Sequence, residues 1–265
     1  MTLKDEFERA DPPLFGSLTF ANLLCDAAYY LWDQFFAERS LSVSVLAEKI
    51  CREQLGETVD TDPVLTQILS FIGTYYYLQG ERVRAYPLMR SVVDRREAYT
   101  ATFPEGQVPL TVNIDLARAW NDLACWHVDD ENFEQAGELT ARALEKIRSL
   151  GDEDVLKYRY AMQYTVRSQV CCGERKLPEA LDYAKRALAL VQAQMGERHY
   201  WTSVFQLQVA VVSLICRKFA NARDIFLDIY EVRHALRGDN DAETLEAMYW
   251  VGTTYFYLEE LDEAE

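Results

Sequence analysis

Met195-Gly-Glu-Arg-His-Tyr-Trp-Thr202 and Arg237-Gly-Asp-Asn-Asp-Ala-Glu-Thr244 carry glycine and threonine in one register: Gly196 to Gly238 and Thr202 to Thr244 each span 42 residues. Ala136-Gly-Glu-Leu-Thr-Ala-Arg-Ala-Leu144 and Ala180-Leu-Asp-Tyr-Ala-Lys-Arg-Ala-Leu188 match at a distance of 44. Self-similarity at such a period is the mark of stacked supersecondary units, each too small to bury its own apolar face.

Extending this register outward gives six units. One small residue recurs at Ala28, Gly73, Ala124, Ser168, Ala210 and Gly252, and a second, twelve positions on, at Ser40, Ala85, Ala136, Ala180, Ala222 and Ala264. Small side chains at fixed positions let two antiparallel helices cross closely. A third column, Ala47, Val92, Ala143, Ala187 and Ile229, lies seven residues further, two helical turns along the same face. Between the columns the apolar spacing is helical, as in Leu65, Ile68, Leu69, Ile72, Tyr75 and Tyr76. Asp62-Pro63 reads as an N-cap followed by proline at the first helical position. Asn132-Phe133 falls in a turn, and Ala136, Leu139, Ala143 and Leu144 line the helix after it. Pro87 fits this scheme only in the first turn of a helix. Gly151, Gly196 and Gly238 read as left-handed helix ends. Each unit is thus helix A, a short turn, helix B and a loop.

Composition agrees. The chain has 265 residues, and only 11 are glycine and 7 proline, which favours helices over sheets. With 27 Lys and Arg against 43 Asp and Glu, the net charge of −16 repels phosphate backbones and anionic membranes, so neither nucleic acid nor membrane is expected as a partner. Apolar residues make up 49%, enough for a core, yet no run is long enough to span a bilayer. The N-terminus lacks an apolar signal core, so the expected compartment is the cytoplasm. The six cysteines (25, 51, 125, 171, 172 and 216) contain no Cys-x-x-Cys and read as small packing residues, vicinal Cys171 and Cys172 included.

The pattern resembles the tetratricopeptide repeat (TPR) family. That family favours a small residue at position 8, an aromatic at 11 and alanine at 20 of the repeat. Gly73, Tyr76 and Ala85 match in the second unit, and Gly252, Tyr255 and Ala264 in the last. The 42-residue period and the Gly-containing loops are similar to the long-repeat subtype of kinesin light chains and of the repeat tails of STAND-type signalling NTPases. The resemblance covers about residues 18 to 265. It implies an all-α fold, a right-handed α-solenoid of antiparallel helix pairs, with an N-terminal extension over 1–17 and six repeats over 18–265, the last incomplete. Cys171 stands where an aromatic is usual, and the loop near Phe103-Pro-Glu-Gly-Gln-Val108 departs from the period. The sequence stops at Leu261-Asp-Glu-Ala-Glu265, in the opening turn of a helix B, which reads as a fragment or a shortened member.

Catalytic patterns are missing. No P-loop, Gly-x-Gly-x-x-Gly, His-Glu-x-x-His or Gly-x-Ser-x-Gly occurs. Asp129-Asp130-Glu131 reads as a solvated turn rather than a metal site, His127 as a packed core residue, His199 as a loop residue and His234 as a cation near a helix C-terminus. Neither catalysis nor a cofactor is expected. In the family, helix A positions 2, 5, 9 and 12 line the concave side. The resemblance therefore points to Gln67, Ser70, Thr74 and Tyr77; to Arg118 and Asn121, with Cys125 and Val128; to Gln169, with Met162, Thr165 and Cys172; to Leu207 and Val211, with Val204 and Leu214; and to Tyr249, Thr253 and Phe256, with Glu246. Arg118 and Asn121 alone are too few for a carboxylate clamp. A partly aromatic groove suits a protein or peptide with apolar anchors.

The expected function is therefore a non-catalytic adaptor. The alternatives are a regulatory tail of a STAND-type NTPase and an accessory protein, or enzyme, of a small-molecule pathway. Self-association through the uncapped C-terminal repeat, exposing Trp250, Val251 and Tyr257, is a further expectation.

Overall fold

The computed structural model describes residues 16–33, 36–56 and 62–258. Among these residues there are eleven α-helices and no strand. They are α1 (Leu18–Asp33), α2 (Ala37–Leu55), α3 (Pro63–Leu78), α4 (Arg82–Ala101), α5 (Leu110–Asp129), α6 (Phe133–Leu150), α7 (Lys157–Gly173), α8 (Leu177–Met195), α9 (Tyr200–Ile215), α10 (Phe219–Arg237) and α11 (Ala242–Tyr257). The chain forms two compact units, Met1–Trp126 and His127–Glu265. In the first, α1 packs on α2, α2 on α3 and α3 on α4. In the second, each helix from α6 to α11 packs on the next. This is the neighbour-on-neighbour packing of an all-α helical-repeat solenoid.

The pairs owe their geometry to a turn used repeatedly. Gly80, Glu131, Arg175 and Arg217 adopt left-handed φ values of 73°, 56°, 62° and 59°. Each lies five residues before a small residue of the second column, Ala85, Ala136, Ala180 or Ala222. The next residue's N–H then closes a bond back over the helix end: Glu81 to Tyr76 O at 2.9 Å, Asn132 to His127 O at 2.8 Å, Lys176 to Cys171 O at 2.8 Å and Lys218 to Ser213 O at 2.9 Å. This is the αL helix stop. In the α3–α4, α7–α8 and α9–α10 pairs the following helix begins at once, so helix B folds back along helix A. Three of the four left-handed residues are not glycine and carry the steric cost of that region.

The small columns are buried as expected up to the last unit, where Gly252 is only half-buried. Ala28, Ala85, Ala124, Ala136, Ser168, Ala180, Ala210 and Ala222 are fully buried, and Ser40 is nearly so. Two crossings are sealed by hydrogen bonds between the columns: Ser40 Oγ donates to Ala28 O, and Ser168 Oγ to Ala180 O, both at 2.8 Å. At Gly73 a Cβ would meet Leu88 Cβ at 3.3 Å, so the α3–α4 crossing has room for little more than glycine. The third column, Ala47, Val92, Ala143, Ala187 and Ile229, is buried throughout. In the second unit, Ala210, Ala222, Phe226, Ile229 and Ala247 form one apolar cluster and Cys171, Ala180, Leu181, Ala184, Val209 and Val212 another. Burying a side chain the size of Phe226 contributes about 2–3 kcal/mol.

Local readings mostly hold, with corrections. Asp62 caps α3, its Oδ1 accepting from Leu65 N at 2.8 Å, with Pro63 first in the helix. Asn132 caps α6, and Phe133 is the first residue of that helix rather than part of the turn. Gly196 and Gly238 end α8 and α10 with φ of 89° and 83°, but Gly151 ends α6 in extended backbone at φ 164°. Pro87 is not in the first turn: it is the sixth residue of α4 and leaves Val83 O without its helical donor. Val83 is 91% exposed, so water can take that place. Trp250 and Val251 are packed against the Phe226 cluster rather than exposed, whereas Tyr257 is 53% exposed. Ala264 and Leu261–Glu265 lie outside the described residues.

Candidate functional site

In the first unit two of the helix A positions, Gln67 and Arg118, join a part-buried polar cluster. Gln67 of α3 is its hub. Its Oε1 accepts from Arg96 Nη2 of α4 at 2.8 Å and from Arg118 Nη2 of α5 at 2.7 Å. Asp115 of α5 pairs with both cations, Arg96 at 3.1 Å and Arg118 at 3.6 Å. Burial lowers the Arg96 pKa and Asp115 works against that shift; burial raises the Asp122 carboxyl, with Arg118 and Arg96 opposing it. The structure thus brings together two expected residues, Gln67 and Arg118. Ser70, Thr74 and Tyr77 of α3 are half-buried. Asn121, expected on the groove, is 1% exposed, and its Oδ1 has no hydrogen-bond partner among the described residues.

The second unit presents a different surface. Leu207 and Val211 of α9, with Leu214, rest on the Phe226 cluster and stay partly exposed. On α11, Tyr249 and Phe256 are 67% and 62% exposed and lie seven residues apart, two turns along one face. Thr253 lies between them, its Oγ1 donating to Tyr249 O at 2.9 Å. Gln169 of α7 is half-buried and donates to Gln208 Oε1 at 3.5 Å; Gln208 donates to Ser168 Oγ at 3.3 Å. Rings stacked across the helix pair hold α11 on α10: Phe226 on Trp250 at 5.7 Å and Phe219 on Tyr257 at 5.0 Å. Two large rings therefore face solvent on a helix whose other side is fixed. Such rings supply contact area at low entropic cost.

Two buried arginines escaped the sequence reading. Arg96 and Arg233 each stand eleven residues after a second-column alanine, where the other units place Cys51, Ile147 and Val191. Arg233 is 2% exposed. It donates to Glu243 O at 2.9 Å and pairs with Glu246 at 3.4 Å and Glu243 at 3.9 Å. Glu243 also accepts from Tyr200 Oη at 2.7 Å and pairs with Arg237 at 3.4 Å. Burial and that hydrogen bond raise the Tyr200 pKa. The signal was present: an arginine in an apolar column, with an acid nine residues before the next small residue (Asp115 before Ala124, Glu243 before Gly252).

The chemistry set aside in the sequence also has a place. Asp130 and Glu131 form the exposed α5–α6 turn after Asp129, and His127 is 5% exposed. His199 caps α9, its Nδ1 accepting from Trp201 N at 3.2 Å, and His234 meets Asp239 at 2.8 Å near the end of α10. Among the described residues no group of three or more His, Cys, Asp or Glu side chains could hold a metal ion. No described helix is long and apolar enough to cross a membrane.

No protein-family model matches the chain, and no curated protein sequence matches it. Solved structures match in fold. BtubC (BKLC) from P. vanneervenii superposes with a TM-score of 0.61 at 17% identity, over 86% of each chain. A kinesin light chain of nearly identical TPR-like repeats from Podosopora anserina gives 0.53 at 12%, over 84% of this chain and 99% of that one. The apo form of RapI gives 0.55 at 11%, over 92% and 93%. The fold is that of the TPR proteins, and a kinesin-light-chain-like repeat is among its structural relatives.

Proposed function

We propose that this chain is a non-catalytic helical-repeat scaffold that binds a protein or peptide, with residues 18–265 read as six repeats, the last incomplete. The observation that carries the reading is the exposed aromatic pair of α11. Tyr249 and Phe256 project into solvent from a helix anchored by stacked rings, and Leu207 and Val211 of α9 are half-exposed in the same unit. A rigid, exposed aromatic pair is a hot-spot composition, suited to a segment with apolar anchors. In the first unit, Gln67, Arg118, Thr74 and Tyr77 offer a polar face for hydrogen bonding. The test is selection of a displayed peptide library on the intact chain, followed by titration against Tyr249→Ser/Phe256→Ser. Those rings are exposed, so circular dichroism should be unchanged. Loss of one aromatic anchor typically weakens binding by more than 1 kcal/mol, about fivefold or more, and the pair by more. Selected peptides that bind the double variant as well as the parent would refute the assignment.

A further inference from the structure

A second surface lies at the turn edge of the second unit. Leu181 and Lys185 of α8, Arg217, Lys218 and Phe219 at the α9–α10 turn, and Leu258 after α11 line a cavity of about 500 Å³. It involves none of Leu207, Val211, Tyr249 and Phe256. Three of its lining side chains are cationic and none is a carboxylate. Lys185, Arg217 and Lys218 are exposed and form no ion pair with any described residue; Asp182, one turn before Lys185, does not pair with it. Three cations without an ion pair to any described residue stand out around one cavity in a chain of net charge −16. Arg217 also holds a left-handed φ of 59°, a position where glycine costs less. The cavity floor is apolar: Leu181 is 8% exposed, and Phe219 is fixed by its stack on Tyr257.

We infer that this pocket takes an acidic peptide segment of a partner protein, with carboxylates on Lys185, Arg217 and Lys218 and one bulky apolar side chain against Leu181, Phe219 and Leu258. Charge complementarity selects the acids. The apolar floor selects a peptide over free phosphate, which would gain nothing from three hydrocarbon side chains. Exposed ion pairs are individually weak and screened by salt, so the complex is weak and salt-sensitive.

The probe is a fluorescein-labelled peptide, Glu-Asp-Glu-Phe-Glu-Asp-Glu, titrated by anisotropy against the intact chain. Saturable binding is expected, weakened about tenfold or more between 50 and 500 mM NaCl. Lys185→Gln, Arg217→Gly and Lys218→Gln should each cost about two- to fivefold, and the triple variant should abolish binding, with helicity checked by circular dichroism. Replacing the peptide's Phe with Ser should weaken it further. No binding by the parent, or undiminished binding by the triple variant, overturns the inference. So does displacement by millimolar inorganic phosphate as effective as by unlabelled peptide. Residues 259–265 of this chain carry five acids directly after Leu258. Binding that emerges only when Glu259, Glu260, Asp262, Glu263 and Glu265 are neutralised to amides would assign the pocket to that segment and overturn a partner in trans.

Discussion

Replacing Glu243 with Gln should destabilise the second unit more than replacing Arg233 with Met, although the arginine is the buried member. The Arg233 side chain is 3% exposed and meets Glu246 at 3.4 Å and Glu243 at 3.9 Å, whose own side chains are 48% and 35% exposed. At an effective dielectric of about 20, each contact is worth roughly 4–5 kcal/mol of gross attraction. Withdrawing the guanidinium from water costs several kcal/mol, so the whole arrangement nets close to zero. Glu243→Gln removes one attraction and leaves the desolvation in place; Glu246 and the Glu243 carbonyl compensate in part. The expected loss is about 2 kcal/mol, a fall of about 4–8 °C in Tm. Arg233→Met removes the attraction and the desolvation together. It puts an apolar side chain where Ile147 and Val191 stand in sister units and leaves Glu243 with Arg237 and Tyr200. Its cost should stay under about 1 kcal/mol. Urea unfolding followed by far-ultraviolet circular dichroism reads both. If Arg233→Met proves the more damaging change, the charged junction is a net source of stability and the desolvation argument is wrong.

The turns, the crossings and the thiols give three more tests. Arg175→Gly should raise stability by about 0.5–1 kcal/mol and Gly80→Ala should lower it by about 1 kcal/mol, because both positions are left-handed; opposite signs in urea midpoints confirm it. Ala180→Leu and Ala222→Leu should each cost about 1–3 kcal/mol through overpacking at a crossing, while the same change at exposed Ala189 should be near neutral. Burial pushes the Cys25 thiol up to about 12 and those of Cys51 and Cys172 to about 11, against 9.0 unperturbed. The folded chain then holds protons that the unfolded chain releases near pH 9, so this stability is complete below pH 9 and is lost as pH rises from 9 towards 12. Cys25→Ala/Cys51→Ala/Cys172→Ala should flatten the alkaline fall in the urea midpoint between pH 8.5 and 10.5; an equally steep fall refutes the assignment.

What could be read from sequence is what the crossing leaves no freedom to vary. Ser40 and Ala28, or Ser168 and Ala180, touch backbone to side chain, so a bulky residue has nowhere to go, and the small columns recur at intervals of 45, 51, 44, 42 and 42 residues. The turns were less legible. Glu131, Arg175 and Arg217 take the left-handed state although none is glycine or asparagine, so their side chains advertise nothing of the kind. Arg96 and Arg233 were hidden because a column that is apolar in other units can hold a cation once the next helix supplies Asp115 or Glu243, a condition set 19 and 10 residues further along the chain. The groove depended on helix phase, and phase fails where a helix is buried on most sides. Leu116, Ala117, Ala119, Trp120, Asn121, Leu123 and Ala124 of α5 are all buried, so no polar stripe distinguishes Asn121 from the core, whereas Arg118 beside it reaches Gln67. On α11 the opposite holds: Thr244, Ala247 and Thr254 mark the packed side, and Tyr249 and Phe256 stand clear of it. Position within a repeat is thus a sound guide to exposure only on helices with one free face, and on that ground it anticipates the exposure of Tyr249 and Phe256 but not the burial of Asn121.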